Sequence, residues 1–171
     1  DLGYDNAMDD YVVTANISGV TSLDVIEKEI SDLTGIEDFT GLTELKCQEN
    51  NLSALDLSNN TALTQLYCHQ NELTSLDVSS NTALTNLYCY DNQLTTLDVS
   101  NNTALTNLYC YSNQLTSLDL SANTALTFLQ CHGNELSYLN MKNGVTNQLD
   151  TFNATNNSLN CIEVQDPDWA T

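Results

Sequence analysis

The chain has almost no positive charge. Three Lys and Arg stand against 23 Asp and Glu, a formal net charge of −20 over 171 residues. No basic stripe can therefore be assembled to neutralise phosphates, so nucleic acid is not an expected partner. Anionic membrane surfaces are disfavoured for the same reason. No apolar run approaches the ~18 residues of a membrane span, and the opening DLGYDNAMDD lacks the basic and apolar regions of a signal peptide. A leader removed before Asp1 remains compatible with this. Proline occurs once and tryptophan once. With 41% hydrophobic residues, the chain can bury the core of one compact domain, unlike a disordered acidic tail. Its acidic surface repels its own copies, so a monomer is expected, and it attracts cations or basic partners.

What the sequence has is a repeat. LYCHQNELTSLDVSSNTALT from Leu66 returns as LYCYDNQLTTLDVSNNTALT from Leu87 and LYCYSNQLTSLDLSANTALT from Leu108. Leu45, Leu66, Leu87, Leu108 and Leu129 lie 21 residues apart, and a last copy starts at Phe152 after a spacing of 23. A degenerate first copy reads Val20-x-x-Leu23-x-Val25, with Lys28 where Asn would stand. A fixed period of this length signals a stacked architecture of about seven coils. Within each copy L-x-x-L-x-L-x-x-N occurs twice, as in Leu63, Leu66, Cys68, Asn71 and then Leu73, Leu76, Val78, Asn81. In each L-x-L the apolar pair shares one face of an extended segment and the residue between points away. Leucines go in, and the intervening residues go out.

This pattern resembles the leucine-rich repeat family, and within it the 21-residue bacterial class with a nested ten-plus-eleven unit, called IRREKO or internalin-like repeats. The resemblance covers roughly residues 20–164 and implies a β-rich solenoid, a right-handed superhelix with parallel β-ladders. It also implies a small N-terminal cap helix and a binding scaffold secreted or displayed on a bacterial surface. Residues 1–19, with Leu2, Tyr4, Met8 and Tyr11 near helical spacing, fit a truncated N-terminal cap; 165–171, with Trp169, fit the start of a C-terminal cap or tail. Two L-x-L segments per copy predict two ladders on opposite walls. Ile30, Leu33, Ile36, Phe39, Leu42 and Leu45 recur every third residue, which predicts a 3₁₀-like stretch in the first coil.

Several columns of residues follow from the period. Asn50, Asn71, Asn92, Asn113, Asn134 and Asn157 form one, and Asn60, Asn81, Asn102 and Asn123 another; both are expected to turn inward and bond backbone groups of neighbouring coils. Cys47, Cys68, Cys89, Cys110 and Cys131 occupy one inward position, whereas Cys161 is out of register. Ligands on a line cannot surround a metal tetrahedrally, and side chains set side by side approach poorly for a disulfide. Reduced, buried thiols are expected. His69 follows Cys68 on the opposite face, so no Cys–His dyad forms, and His132 is three coils away, ~14 Å along the stack. No nucleophile–base set, phosphate loop or zinc motif is present, and neither catalysis nor a cofactor is expected.

The outward residues carry the functional signal. Tyr67, His69, Tyr88, Tyr90, Tyr109 and Tyr111, flanked by Lys46, Gln48, Gln130 and His132, line one stripe that holds five of the eight tyrosines. Rigid aromatics with polar tips suit recognition of a protein or a glycan, and they also suit cross-strand pairing that merely stabilises a sheet. Gln70, Asp91, Ser112 and Gly133 vary most along the same edge, as a specificity rim would. On the second wall Asp56, Asp77, Asp98 and Asp119 repel one another unless neighbouring Ser and Thr or bound cations intervene. Each coil offers one carboxylate towards a calcium shell of 6–8 oxygens, so calcium is the weaker reading and a solvated wall the stronger. A structural or calcium-taking adhesive spacer is the alternative function. An ice-binding hydroxyl array is a third, poorly matched because the outward pairs are Asp/Ser and Tyr/His rather than Thr/Thr.

Overall fold

The computed structural model describes residues 17–165. The N-terminal cap expected over 1–19 lies outside these residues except for its last three, and the expected C-terminal cap, Trp169 included, lies outside except for Gln165. Each coil contributes one short strand to the first wall: β1 (Ser22–Asp24), β2 (Glu44–Lys46), β3 (Gln65–Tyr67), β4 (Asn86–Tyr88), β5 (Asn107–Tyr109), β7 (Phe128–Gln130) and β9 (Thr151–Asn153). They form one parallel sheet in the order β1-β2-β3-β4-β5-β7-β9, with Leu23, Leu45, Leu66, Leu87, Leu108, Leu129 and Phe152 in register. The protein is a parallel solenoid of about seven coils.

Period-2 alternation explains the packing. Leu45, Leu66, Leu87, Leu108 and Leu129 are fully buried, as are all five cysteines of the column. Each buried leucine contributes ~1.5–3 kcal/mol relative to exposure, and no coil could bury its leucines alone. The three-residue rhythm of the first coil yields a 3₁₀ turn, Ile36–Asp38, whose Ile36 is buried. Gly41 follows where a Cβ would stand 2.5 Å from the Ser18 carbonyl oxygen, so only glycine lets the first coil close. Among the large apolar side chains of the described residues, Tyr138, Phe152 and Val164 are exposed.

The Asn columns close the corners. Asn92 Nδ2 donates to the carbonyls of Cys68, Cys89 and Tyr90 at 3.0, 3.2 and 3.3 Å, and its Oδ1 accepts the Leu73 N–H at 3.0 Å. In the first coil Asn50 Oδ1 accepts the N–H of Lys28, the residue standing where Asn was absent. The second column is only half as well served. Asn81 Nδ2 donates to Leu57 and Asn60 carbonyls at 3.1 and 2.9 Å, while the buried Oδ1 atoms of Asn60, Asn81, Asn102 and Asn123 have no hydrogen-bond partner.

The second wall departs from the expected continuous ladder. Only β6 (Ser117–Asp119), β8 (Tyr138–Met141) and β10 (Cys161–Val164) pair, in the order β10-β8-β6. Upstream, the coils meet on this side through single bonds such as Glu72 N–H to Leu52 O and Gln93 N–H to Leu73 O, both 2.9 Å. Grooves open between them, one lined by Leu55, Asp56, Leu57, Ser58, Asp77 and Ser80. Leu118-x-Leu120 and Leu139-x-Met141 pair on this wall where Leu76-x-Val78 and Leu97-x-Val99 do not, so the L-x-L pattern alone does not decide the pairing.

Candidate ligand-binding wall

The first ladder places its outward residues in two parallel columns of rings. Register pairs Tyr67 with Tyr88 and Tyr88 with Tyr109. The Tyr67 and Tyr88 rings stack at 4.9 Å and 8°, and Tyr109 meets Tyr88 edge-on at 4.6 Å and 70°. Two residues further along each coil, His69, Tyr90, Tyr111 and His132 form an unbroken stack with centroid separations of 4.2, 4.3 and 4.5 Å and tilts of 16°, 11° and 11°. All seven ring-bearing residues of the predicted stripe are thus brought together. The spacing equals the strand separation of ~4.8 Å to within a few tenths, so the sheet itself sets the stack.

Stacking decides what the wall offers. Interior rings have their faces covered by neighbours and present edges and hydroxyls. Tyr67 OH donates to Gln65 Oε1 at 2.9 Å, Asn107 Nδ2 donates to Tyr88 OH at 3.3 Å, and the Tyr111 hydroxyl donates to that of Tyr90. Burial raises the phenol pKa of Tyr90, Tyr109 and Tyr111, aided at Tyr90 and Tyr111 by the negative charge of Asp91. The rings stay protonated near neutral pH. At one end Lys46 Nζ lies 6.0 Å from the Tyr67 centroid and pairs with Glu44 at 3.0 Å.

One expectation needs correction. His69 was placed facing solvent, and it does lie on the outward side, but it is only 9% exposed. The stacked Tyr90 ring covers it, and this burial holds its imidazole pKa below the usual value despite the opposing pull of Asp91. It is a neutral member of the stack, and its Nδ1 has no partner.

The sequence did not show that the predicted rim is a column of left-handed backbone. Glu27, Glu49, Gln70, Asp91, Ser112 and Asn156 have φ between 50° and 58°, and Gly133 shares the position at 62°. From Glu27 to Gly133 each of these amides still bonds the next coil, as Gln70 N–H does to Tyr90 O at 3.0 Å. The available signal was Gly133 standing in register with Asp91 and Asn156, residue types that tolerate this conformation.

On the second wall each carboxylate closes its own turn. Asp56, Asp77, Asp98 and Asp119 Oδ1 accept the N–H of the serine two residues on, at 2.9 Å in every case. Ser58 and Ser100 hold Asp56 and Asp98 below the usual carboxylate pKa through the N–H first and the hydroxyl second; at Asp77 and Asp119 the hydroxyls of Ser79 and Ser121 come first. Asn140, in register with Asp119, is buried, its Oδ1 accepting the Lys142 N–H. Among the described residues no three His, Cys, Asp or Glu side chains converge where a metal ion could sit.

Geometry and likeness together define a leucine-rich repeat solenoid. No family profile matches the chain. Its repeats are nonetheless internalin-like: 51 residues, 30% of the chain, are 47% identical to Internalin J of Listeria monocytogenes serotype 4b (strain F2365), of which they span 6%. The solved functional domain of InlJ from Listeria monocytogenes, described as including a cysteine ladder, is 35% identical with a TM-score of 0.58, over 89% of this chain and 43% of that one. An internalin (inlF) from the same species is 26% identical with a TM-score of 0.76, over 92% and 47%. The chain thus spans less than half of either solved protein. The five thiols of Cys47, Cys68, Cys89, Cys110 and Cys131 here are free and buried, one on each of five successive coils.

Proposed function

We propose that the solenoid is a non-enzymatic binding or adhesion module, secreted or displayed on a bacterial surface, that engages a protein or glycan through Tyr67, Tyr88, Tyr90, Tyr109, Tyr111 and His132, with the covered His69 holding one end of their stack. The observation that carries this reading is the pair of aromatic columns on the outward side of an unbroken seven-stranded sheet. Such rings are immobilised before a partner arrives, so little side-chain entropy remains to be lost on binding. Relatives with internalin repeats are consistent with display at a surface. The calcium-taking spacer gains no support from carboxylates already engaged in their own turns.

Attachment of the intact chain to host cells or to a glycan array tests the reading. Tyr88→Ala/Tyr109→Ala should reduce attachment about tenfold or more while a chelator leaves it unchanged. Attachment indifferent to the tyrosines and abolished by chelator would transfer the function to the acidic wall.

A further inference from the structure

The aromatic wall is bordered by carboxylates that take part in neither of the ion pairs found among the described residues. Glu27 and Glu49 occupy the left-handed position on consecutive coils, and Asp91 occupies it two coils further along. The Glu49 carboxyl holds its proton more tightly than usual, through burial first and then the charge of Glu27 beside it. Asp91 lies close enough for its charge to act on His69, Tyr90 and Tyr111, and Glu49 close enough to act on Tyr90. The ion pairs recorded among the described residues are Lys46–Glu44 and Lys142–Glu163, so neither relieves this rim. The faces of Tyr90 and Tyr111, on which a sugar would stack, are occupied on both sides by neighbouring rings, which leaves their edges and hydroxyls.

Resting on the reading of this wall as a binding surface, we infer that its occupant is a basic polypeptide segment lying along the stack, with Lys and Arg side chains received by Glu27, Glu49 and Asp91 beside the edges of Tyr88, Tyr90 and Tyr111. Charge complementarity selects it, since the protein carries −20 with only three basic residues of its own. The repeat dimension suits it too. Glu49 and Asp91 are two coils apart, ~9.6 Å at ~4.8 Å per coil, and a polyproline II segment brings every third side chain to one side after ~9.3 Å. Basic residues three apart would therefore meet Glu49 and Asp91, with Glu27, one coil or ~4.8 Å from Glu49, sharing the first of them.

The rim can be neutralised with residues the repeats already place there, because Gln70 and Asn156 occupy the positions equivalent to Glu49 and Asp91. E49Q/D91N is compared with a second-wall control of equal charge change, D77N/D98N, in which Asn140 supplies the precedent on that wall. The probe is a labelled oligo-arginine peptide at physiological salt, with oligo-glutamate as the blank. Binding weakened about tenfold by E49Q/D91N and less than about twofold by D77N/D98N supports the inference. Equal weakening by both pairs would reduce the effect to overall charge and overturn it, as would absence of oligo-arginine binding. Cell attachment separates the two levels. Attachment lost in Tyr88→Ala/Tyr109→Ala but kept in E49Q/D91N removes the basic partner and leaves the aromatic wall as a binding surface, whereas attachment kept in both removes both.

Discussion

At the scale of single residues, the corner asparagines and the rim positions differ in what they can tolerate. Asn92 makes four bonds to backbone and is 9% exposed, so leucine in its place leaves the buried Leu73 N–H without a partner and takes one donor from each of three carbonyls that keep a second. Asn92→Leu should cost about 1–3 kcal/mol despite its added apolar bulk, seen as a lower midpoint in a thermal or urea melt. Gln70 is the opposite case: it is exposed, and its φ of 54° is strained for any side chain. Gln70→Gly should relieve that strain and match or exceed the parent by up to about 1 kcal/mol, whereas Gln70→Val should lose about 1–2 kcal/mol. Paired melts would reveal the order, and a valine variant as stable as the glycine one would contradict it. The Asn positions were legible because polar residues recurring in an apolar register need backbone partners. The left-handed rim was not, since only one repeat carries the glycine that would announce it.

At the scale of the element, the thiol column behaves as one object. Burial raises Cys47, Cys89 and Cys131 to about 12, with Cys68 and Cys110 also well above the ordinary value. The folded protein therefore keeps these protons while an unfolded chain would release them above about pH 8.5. Stability contributed by the column is complete below that pH and declines as pH rises towards about 12. Native protein should accordingly consume one equivalent of a thiol reagent at neutral pH, at exposed Cys161, and six after unfolding. Alkaline denaturation should begin above about pH 9 and shift upward when column cysteines are replaced by alanine or valine. Rapid modification of more than one thiol in the native state would show that the column is open.

At the scale of the whole molecule, charge is the dominant unbalanced term. A net −20, with two ion pairs among the described residues, leaves self-repulsion as the main unrelieved charge interaction. Raising sodium chloride from about 0.01 to 0.5 M shortens the Debye length from ~30 Å to a few ångströms, so the melting midpoint should rise with salt. A midpoint that falls instead would mean that specific ion pairs outweigh the repulsion. The same screening should weaken capture of a basic partner, so affinity and stability are expected to move in opposite directions along one salt series.

The sequence by itself determined the period, the number of coils, the inward leucines, thiols and asparagines, and the gathering of five tyrosines on one wall, because side-chain alternation and a fixed repeat length follow from local chain geometry. Tertiary structure alone decided where the second wall pairs, how deeply His69 is covered, that ring faces are used up in stacking, and that Glu27 and Glu49 stand side by side. Those features depend on how each coil packs against its neighbours, which residues distant in the chain decide and a local pattern of alternation does not carry.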